Sequence, residues 1–177
     1  MSNAVTRVYS FPPATTADTR VLILGSMPGK QSLQMQQYYA HAQNTLWKIM
    51  GALIGAGRDL DYADRILRLN AHGIGMWDVL MSCHRPGSLD SAIVQATMEP
   101  NDFGAFYLAH AKVTHVFFNG SKAAETYKRY VLPRLGQDYA HLQYERLPST
   151  SPAHASLNFQ QKLDTWSKVL LAAANSA

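Results

Sequence analysis

Three short stretches hold the side chains whose types and spacing could do chemistry. Residues 25 to 32 read GSMPGKQS, a glycine-bracketed loop with one lysine directly after the apolar run Val21-Leu22-Ile23-Leu24. A phosphate cradle of the P-loop type needs four residues between its glycines and a hydroxyl next to the lysine, so that amides ring the phosphate and an oxygen reaches magnesium. Here three residues separate Gly25 from Gly29, Gln31 follows Lys30 and delays Ser32 by one place, and Pro28 removes an amide donor. The spacing therefore disfavours a nucleotide cradle, and the absence of G-x-G-x-x-G disfavours a dinucleotide site. The glycines serve either a plain strand-to-helix turn or a close approach of main chain to a ligand. The second stretch, QQYYAHAQN, sets Tyr38, Tyr39, His41 and Asn44 ahead of an amphipathic segment. Read locally, these are core aromatics, a solvated histidine and a helix cap, or else a functional cluster. The third, Pro148 to His154, is too rich in proline and small polar residues to be regular.

The elements that must position these stretches follow from periodicity. Val21 to Leu24 has the composition of a buried parallel strand. Leu46, Ile49, Met50 and Leu53 recur at helical spacing behind Asn44, which stands where an N-cap would. A second helix is expected from Asp61 to Gly73, then a strand over Ile74 to Leu80. A third strand is expected over Val113 to Phe118, with Asn119-Gly120-Ser121 leading into a helix near Lys122. A fourth strand is expected over His141 to Leu147. In the last helix Phe159, Leu163, Trp166, Leu170 and Ala173 share a face, and Asn158 with Gln161 forms a capping-box pattern. Strands alternating with helices predict a parallel sheet covered on both faces, with functional loops at the carboxyl ends of its strands.

The chain has 177 residues, suited to a single domain over 1–177. Sixteen Lys+Arg against twelve Asp+Glu give a formal net charge of +4, a mild excess that suits a polyanionic partner. Cys83 is the only cysteine, which excludes an internal disulfide and any thiolate-held zinc or iron–sulfur site within one chain. The seven histidines show no metal-ligand spacing, so neither metal nor cofactor is expected. With no apolar stretch of spanning length and no basic-then-apolar leader pattern, the expectation is a soluble, cytoplasmic monomer without membrane association.

GSMPGKQSLQMQQYYAHAQNTLWKIM resembles the first motif of the uracil-DNA glycosylase superfamily, in its hypoxanthine (deoxyinosine) and mismatch-specific branches. There a glycine-proline loop precedes an aromatic-Ala-His-x-x-Asn-x-(aromatic)-Trp segment. LPSTSPAHA is similar to the second motif, and GIGMWDVLMSCHRPGSLDSAI resembles a stretch of the hypoxanthine branch. The resemblance implies a three-layer α/β/α sandwich around a central four-stranded, mainly parallel sheet. It also implies metal-independent hydrolysis of the N-glycosidic bond of a base flipped out of DNA, the base being hypoxanthine or also uracil.

That reaction passes through an oxocarbenium-like state, so a site must position water and steady the departing base. Met27 stands where many relatives carry a water-positioning Asn or Asp, and the hypoxanthine branch uses instead the asparagine that corresponds to Asn44. Backbone amides at Ser26 and Met27 would face charge on the leaving base, with Gly25, Pro28 and Gly29 shaping the approach. Tyr39, or Tyr38 in its place, would stack the base beside His41, and Asn119 would read its edge. Ser151, Ala153 and His154 would grip a flanking phosphate, or His154 would stabilise the leaving group. Asn119 also fits an ordinary turn, Tyr39 a core position, and Leu157 either a wedge or an apolar staple. Asp78 is a conceivable base or a loop anchor; Lys30 a Schiff-base former or a solvated cation; Arg85 and Lys122 are candidate backbone contacts. Competing functions are a mismatch-type uracil or thymine glycosylase, a catalytically silent nucleic-acid binder, and a P-loop phosphohydrolase.

Overall fold

The computed structural model describes residues 6–177; the first five, which include the start of the stretch read for a leader, lie outside the described residues. The central sheet is wholly parallel. Its strands are β2 (Val21–Gly25), β3 (Ile74–Asp78), β6 (His115–Asn119) and β7 (Gln143–Leu147), in the order β3-β2-β6-β7. Side-chain alternation sends Val21, Ile23, Ile74, Met76 and Phe117 to one face and Leu22, Leu24, Trp77, Val116 and Phe118 to the other. The first face is covered by α2 (Leu46–Ile54), α3 (Tyr62–Ala71) and α6 (Phe159–Asn175), whose Trp47, Leu69 and Trp166 are fully buried. The second is covered by α4 (Phe103–Ala109) and α5 (Ser121–Tyr130) through Phe103, Phe106, Tyr107 and Tyr127. Burying such side chains supplies roughly 1.5–3 kcal/mol each, which fixes the three layers.

The expected fold class is thus present, with local departures. The run expected as one strand from Ile74 to Leu80 divides at Asp78. Val79 donates to the Gly25 carbonyl (2.8 Å) and Leu80 to that of Ser26 (3.2 Å), so the chain crosses beneath the first loop. It then enters a separate antiparallel sheet, β1 (Arg7–Tyr9), β4 (Leu80–His84) and β5 (Glu99–Pro100), in the order β1-β4-β5. A short helix, α1 (Lys30–Met35), follows the first loop. The expected capping box of α6 is formed: the Asn158 side chain accepts from the Gln161 amide, and the Gln161 side chain accepts from the Asn158 amide, both at 2.9 Å. No helix among the described residues is long and apolar enough to cross a membrane.

Candidate functional site

Parallel register sets Gly25 beside Asp78, while Asn119 pairs with Leu147, so four strands end along one edge. A cavity of about 500 Å³ opens above that edge. Its walls are the first loop from Gly25 to Ser32, the segment carrying Tyr38, Tyr39, His41 and Asn44, the turn Ser88 to Ser91, and the loop Ser149 to His154. The first-loop residues Gly25 to Gly29, together with Tyr39, His41, Asn44, Ser151, Ala153 and His154, line it, with Asp78 and Asn119 at the strand ends; Leu157, Arg85 and Lys122, read as a wedge and as backbone contacts, are not among the lining residues.

The first loop is held from below. Met27 is buried among Leu80, Cys83 and Ile93, so its side chain plugs the loop into the small sheet. Arg85 is buried as well, its guanidinium donating to the carbonyls of Met27 (3.4 Å), Pro28 and Gly87 (3.1 Å). That corrects the expectation of Arg85 as a DNA-backbone contact, because its donors are turned inward on carbonyls. No acceptor in the described chain takes the amides of Ser26 or Met27, while the Ser26 hydroxyl donates to Asp90 Oδ1 at 2.5 Å.

The Tyr38–His41 segment is fastened group by group. Trp47 Nε1 donates to the Tyr38 carbonyl (2.9 Å), and the Tyr38 amide to the Tyr62 hydroxyl (3.1 Å). The Ala40 amide donates to Ser32 Oγ at 3.1 Å. Arg58 donates to the carbonyls of Tyr39 (3.0 Å), Ala40 (3.4 Å) and His41 (2.7 Å). This scaffold holds Tyr39 at φ +54, a left-handed conformation that costs a non-glycine residue on the order of 1–2 kcal/mol. Its ring is half-buried at the cavity wall, and its hydroxyl is buried with no hydrogen bond of good geometry among the described residues. Burial, then the nearby Asp78, pushes that phenol up from its ordinary value, against the pull of the neighbouring Asn119 side chain.

Asn44 both caps and lines the cavity. The N-cap position falls at Thr45, but Asn44 Oδ1 accepts from the Leu46 amide at 3.0 Å, which orients the amide and leaves its nitrogen and one oxygen lone pair unused. Asn119 is committed more fully: its Nδ2 donates to Thr150 Oγ1 (2.8 Å) and its Oδ1 accepts from the Thr150 amide (2.9 Å). The Thr150 carbonyl in turn accepts from the Thr45 amide at 3.0 Å. Thr150, fully buried, joins the end of β6, the last loop and the start of α2. From α6, Trp166 Nε1 donates to the Pro148 carbonyl (2.9 Å) and Lys162 Nζ to that of His154 (2.7 Å). Within the loop, Ser151 Oγ accepts from the Ala153 amide at 3.2 Å, and His154 Nε2 lies 3.3 Å from Ser156 Oγ.

Asp78 does not anchor a loop through its side chain. Its main-chain oxygen accepts from Asn101 Nδ2 (2.8 Å), while Oδ2 is buried without a partner among the described residues. Burial first and Asp90 second, opposed by Arg85, push its carboxyl up to about 7. No group of three or more metal-ligating side chains occurs among the described residues.

Thr150 and Asp90 lie within the motif stretches but carried no role of their own in the sequence, and Arg58 and Lys162 carried no signal, since each acts through hydrogen bonds to main chain or side chains that the motif pattern does not show. Known proteins supply an independent comparison. A family profile for the Uracil DNA glycosylase superfamily matches residues 12–174. Two similar proteins are each called Hypoxanthine DNA glycosylase: one from Methanosarcina barkeri, 36% identical, and one from Methanosarcina acetivorans, 38% identical. Each alignment spans 116 residues, 65% of this chain and 72% of the relative. A solution NMR structure from Methanosarcina acetivorans, provisionally assigned as a uracil DNA glycosylase, superposes with a TM-score of 0.77 at 30% identity. It covers 94% of this chain and 99% of that one.

Proposed function

The chain belongs to the uracil DNA glycosylase superfamily, and we propose that within it this protein is a monofunctional DNA glycosylase acting on deaminated bases, hypoxanthine first among them. The observation that carries the proposal is the single cavity into which the two motif loops bring the Asn44 amide, the Tyr39 ring and the unengaged amides of Ser26 and Met27. A nucleotide swung out of the duplex would place its base against Tyr39 and its sugar toward Asn44. The Asn44 Nδ2 donates to a water whose proton points back to the free Oδ1 lone pair, aiming a water lone pair at C1′. As the glycosidic bond lengthens, the first-loop amides meet the negative charge gathering on the base. No protein nucleophile is required. Lys30 opens α1 at the rim and is left with the ordinary role of a solvated or phosphate-facing cation.

The choice of purine over a mismatch-type pyrimidine substrate is supported by Met27. Its side chain is packed into an apolar cluster and cannot supply the polar group that such sites place there. Hypoxanthine in the names of the two archaeal relatives points the same way. The test is base release from a panel of oligonucleotides carrying deoxyinosine, deoxyuridine, or thymine opposite guanine, with and without EDTA. Release from deoxyinosine, undiminished by chelator, is expected. Release from deoxyuridine with none from deoxyinosine would refute the purine assignment, and no release from any substrate would favour the silent binder.

A further inference from the structure

We propose that Asp78 is a catalytic acid of this site, donating its carboxyl proton to a ring nitrogen of the departing base at the buried end of the cavity, beside the Tyr39 hydroxyl. The proposal rests on the glycosylase reading above and extends it to the leaving group.

The geometry begins with Gly25. A Cβ there would stand 2.7 Å from Asp78 Oδ1 and 3.1 Å from the Tyr39 hydroxyl, so the carboxyl and the phenol converge on one spot that only glycine leaves open. Both groups are buried, and both keep hydrogen-bonding capacity left over: Asp78 Oδ2 and the Tyr39 hydroxyl make no hydrogen bond of good geometry among the described residues, and the Asn119 side chain that lies near the phenol is held by Thr150. Buried polar groups are almost always paired in folded proteins, so two orphans against one cavity mark the place of a polar ligand edge. Structural work does not account for the carboxyl. The strand end is secured through its main-chain oxygen, and Arg85, the cation in its field, is spent on the carbonyls of Met27, Pro28 and Gly87.

The surroundings favour the acid form. Asp78 faces Asp90 from the turn after β4, which disfavours its charge. It also faces Arg85, which favours its charge, and the neutral phenols of Tyr39 and Tyr38. With burial the largest influence, the carboxyl titrates near neutrality, as a general acid working at such pH requires. The step balances without a co-reactant. The C1′–N bond breaks with its electron pair moving into the base, and the Asp78 O–H proton passes to a ring nitrogen, so the base leaves neutral. The water held by Asn44 forms the C1′–O bond and loses a proton to solvent. Asp78, now a carboxylate, regains a proton from solvent. A purine suits such a donor because it keeps unprotonated ring nitrogens away from the glycosidic bond.

The experiment is single-turnover base release from a deoxyinosine duplex between about pH 5 and 9, for the native protein, Asp78→Asn and Tyr39→Phe. The native rate is expected to be level on the acid side and to fall about tenfold per pH unit above about 7. Asp78→Asn is expected to lose about 100-fold or more at pH 6 and to lose that alkaline limb. It should keep its affinity for an abasic-site duplex and melt no lower than the native protein. Tyr39→Phe should fall by a smaller factor and keep the limb. An Asp78→Asn rate within about threefold of native with the same pH profile would overturn the assignment while leaving the glycosylase reading intact. No release by the native protein would instead overturn that reading. Should Asp78→Asn not fold, the native profile decides: a limb near 7 supports the proposal, and a level rate from about pH 5 to 9 refutes it.

Discussion

At the scale of the residue, Tyr39 and Gly25 bear most directly on the proposed base pocket. The left-handed backbone of Tyr39 is maintained by Arg58, Ser32 and Trp47, whose bonds fix the flanking main chain. Strain retained at a cavity wall fits a ring whose direction matters more than its backbone comfort. Tyr39→Ala is expected to weaken binding to a deoxyinosine duplex by about 1–3 kcal/mol, the range of base–aromatic stacking, as read by fluorescence anisotropy. An unchanged affinity would assign the ring to packing. Gly25→Ala places a methyl against Asp78 Oδ1 and the Tyr39 hydroxyl. It should depress base release by at least tenfold while the protein still melts cooperatively, which calorimetry alongside the glycosylase assay would check.

At the scale of elements, the site is a junction of loops tied by a few side chains, and its weakest point is testable at Thr150. Thr150→Val keeps the shape and both main-chain bonds but leaves Asn119 Nδ2 facing a methyl group. The expected cost is about 1–3 kcal/mol, a loss of several degrees in Tm, with base release falling because the last loop and the start of α2 lose their common post. The apolar runs at Val21, Ile74 and Val113 announced the parallel strands, and Asn158 with Gln161 announced α6, because buried strands and capping boxes write themselves into adjacent residues. The small sheet did not show. Arg7–Tyr9 and Glu99–Pro100 are too short to display alternation, and IGMWDVL has no glycine or proline where the chain changes sheets at Asp78. The motif loops named the cavity's wall residues. The posts behind them, Arg58, Thr150 and Lys162, carry no spacing signal because their bonds span from 8 to 105 residues.

At the scale of the molecule, the site weakens the fold that carries it. Asp78 has a folded-state carboxyl near 7 against an ordinary value of 3.8, so between those values the folded protein holds a proton that the unfolded chain releases. Stability contributed by this group is therefore highest below about pH 4 and is lost as pH rises towards 7. Native Tm relative to that of Asp78→Asn should fall across this interval, measured by calorimetry at matched ionic strength; parallel curves would show that the carboxyl is solvated. The role of Asn44 in holding the water is tested most directly by single-turnover base release from a deoxyinosine duplex by Asn44→Ala. The cap it also provides contributes only about 1 kcal/mol to the fold, so folding survives at assay temperature. The rate should drop by at least about 100-fold while binding to an abasic-site duplex stays within a few-fold of native. A variant that releases hypoxanthine at the native rate would show that Asn44 is a helix cap and that water is positioned elsewhere.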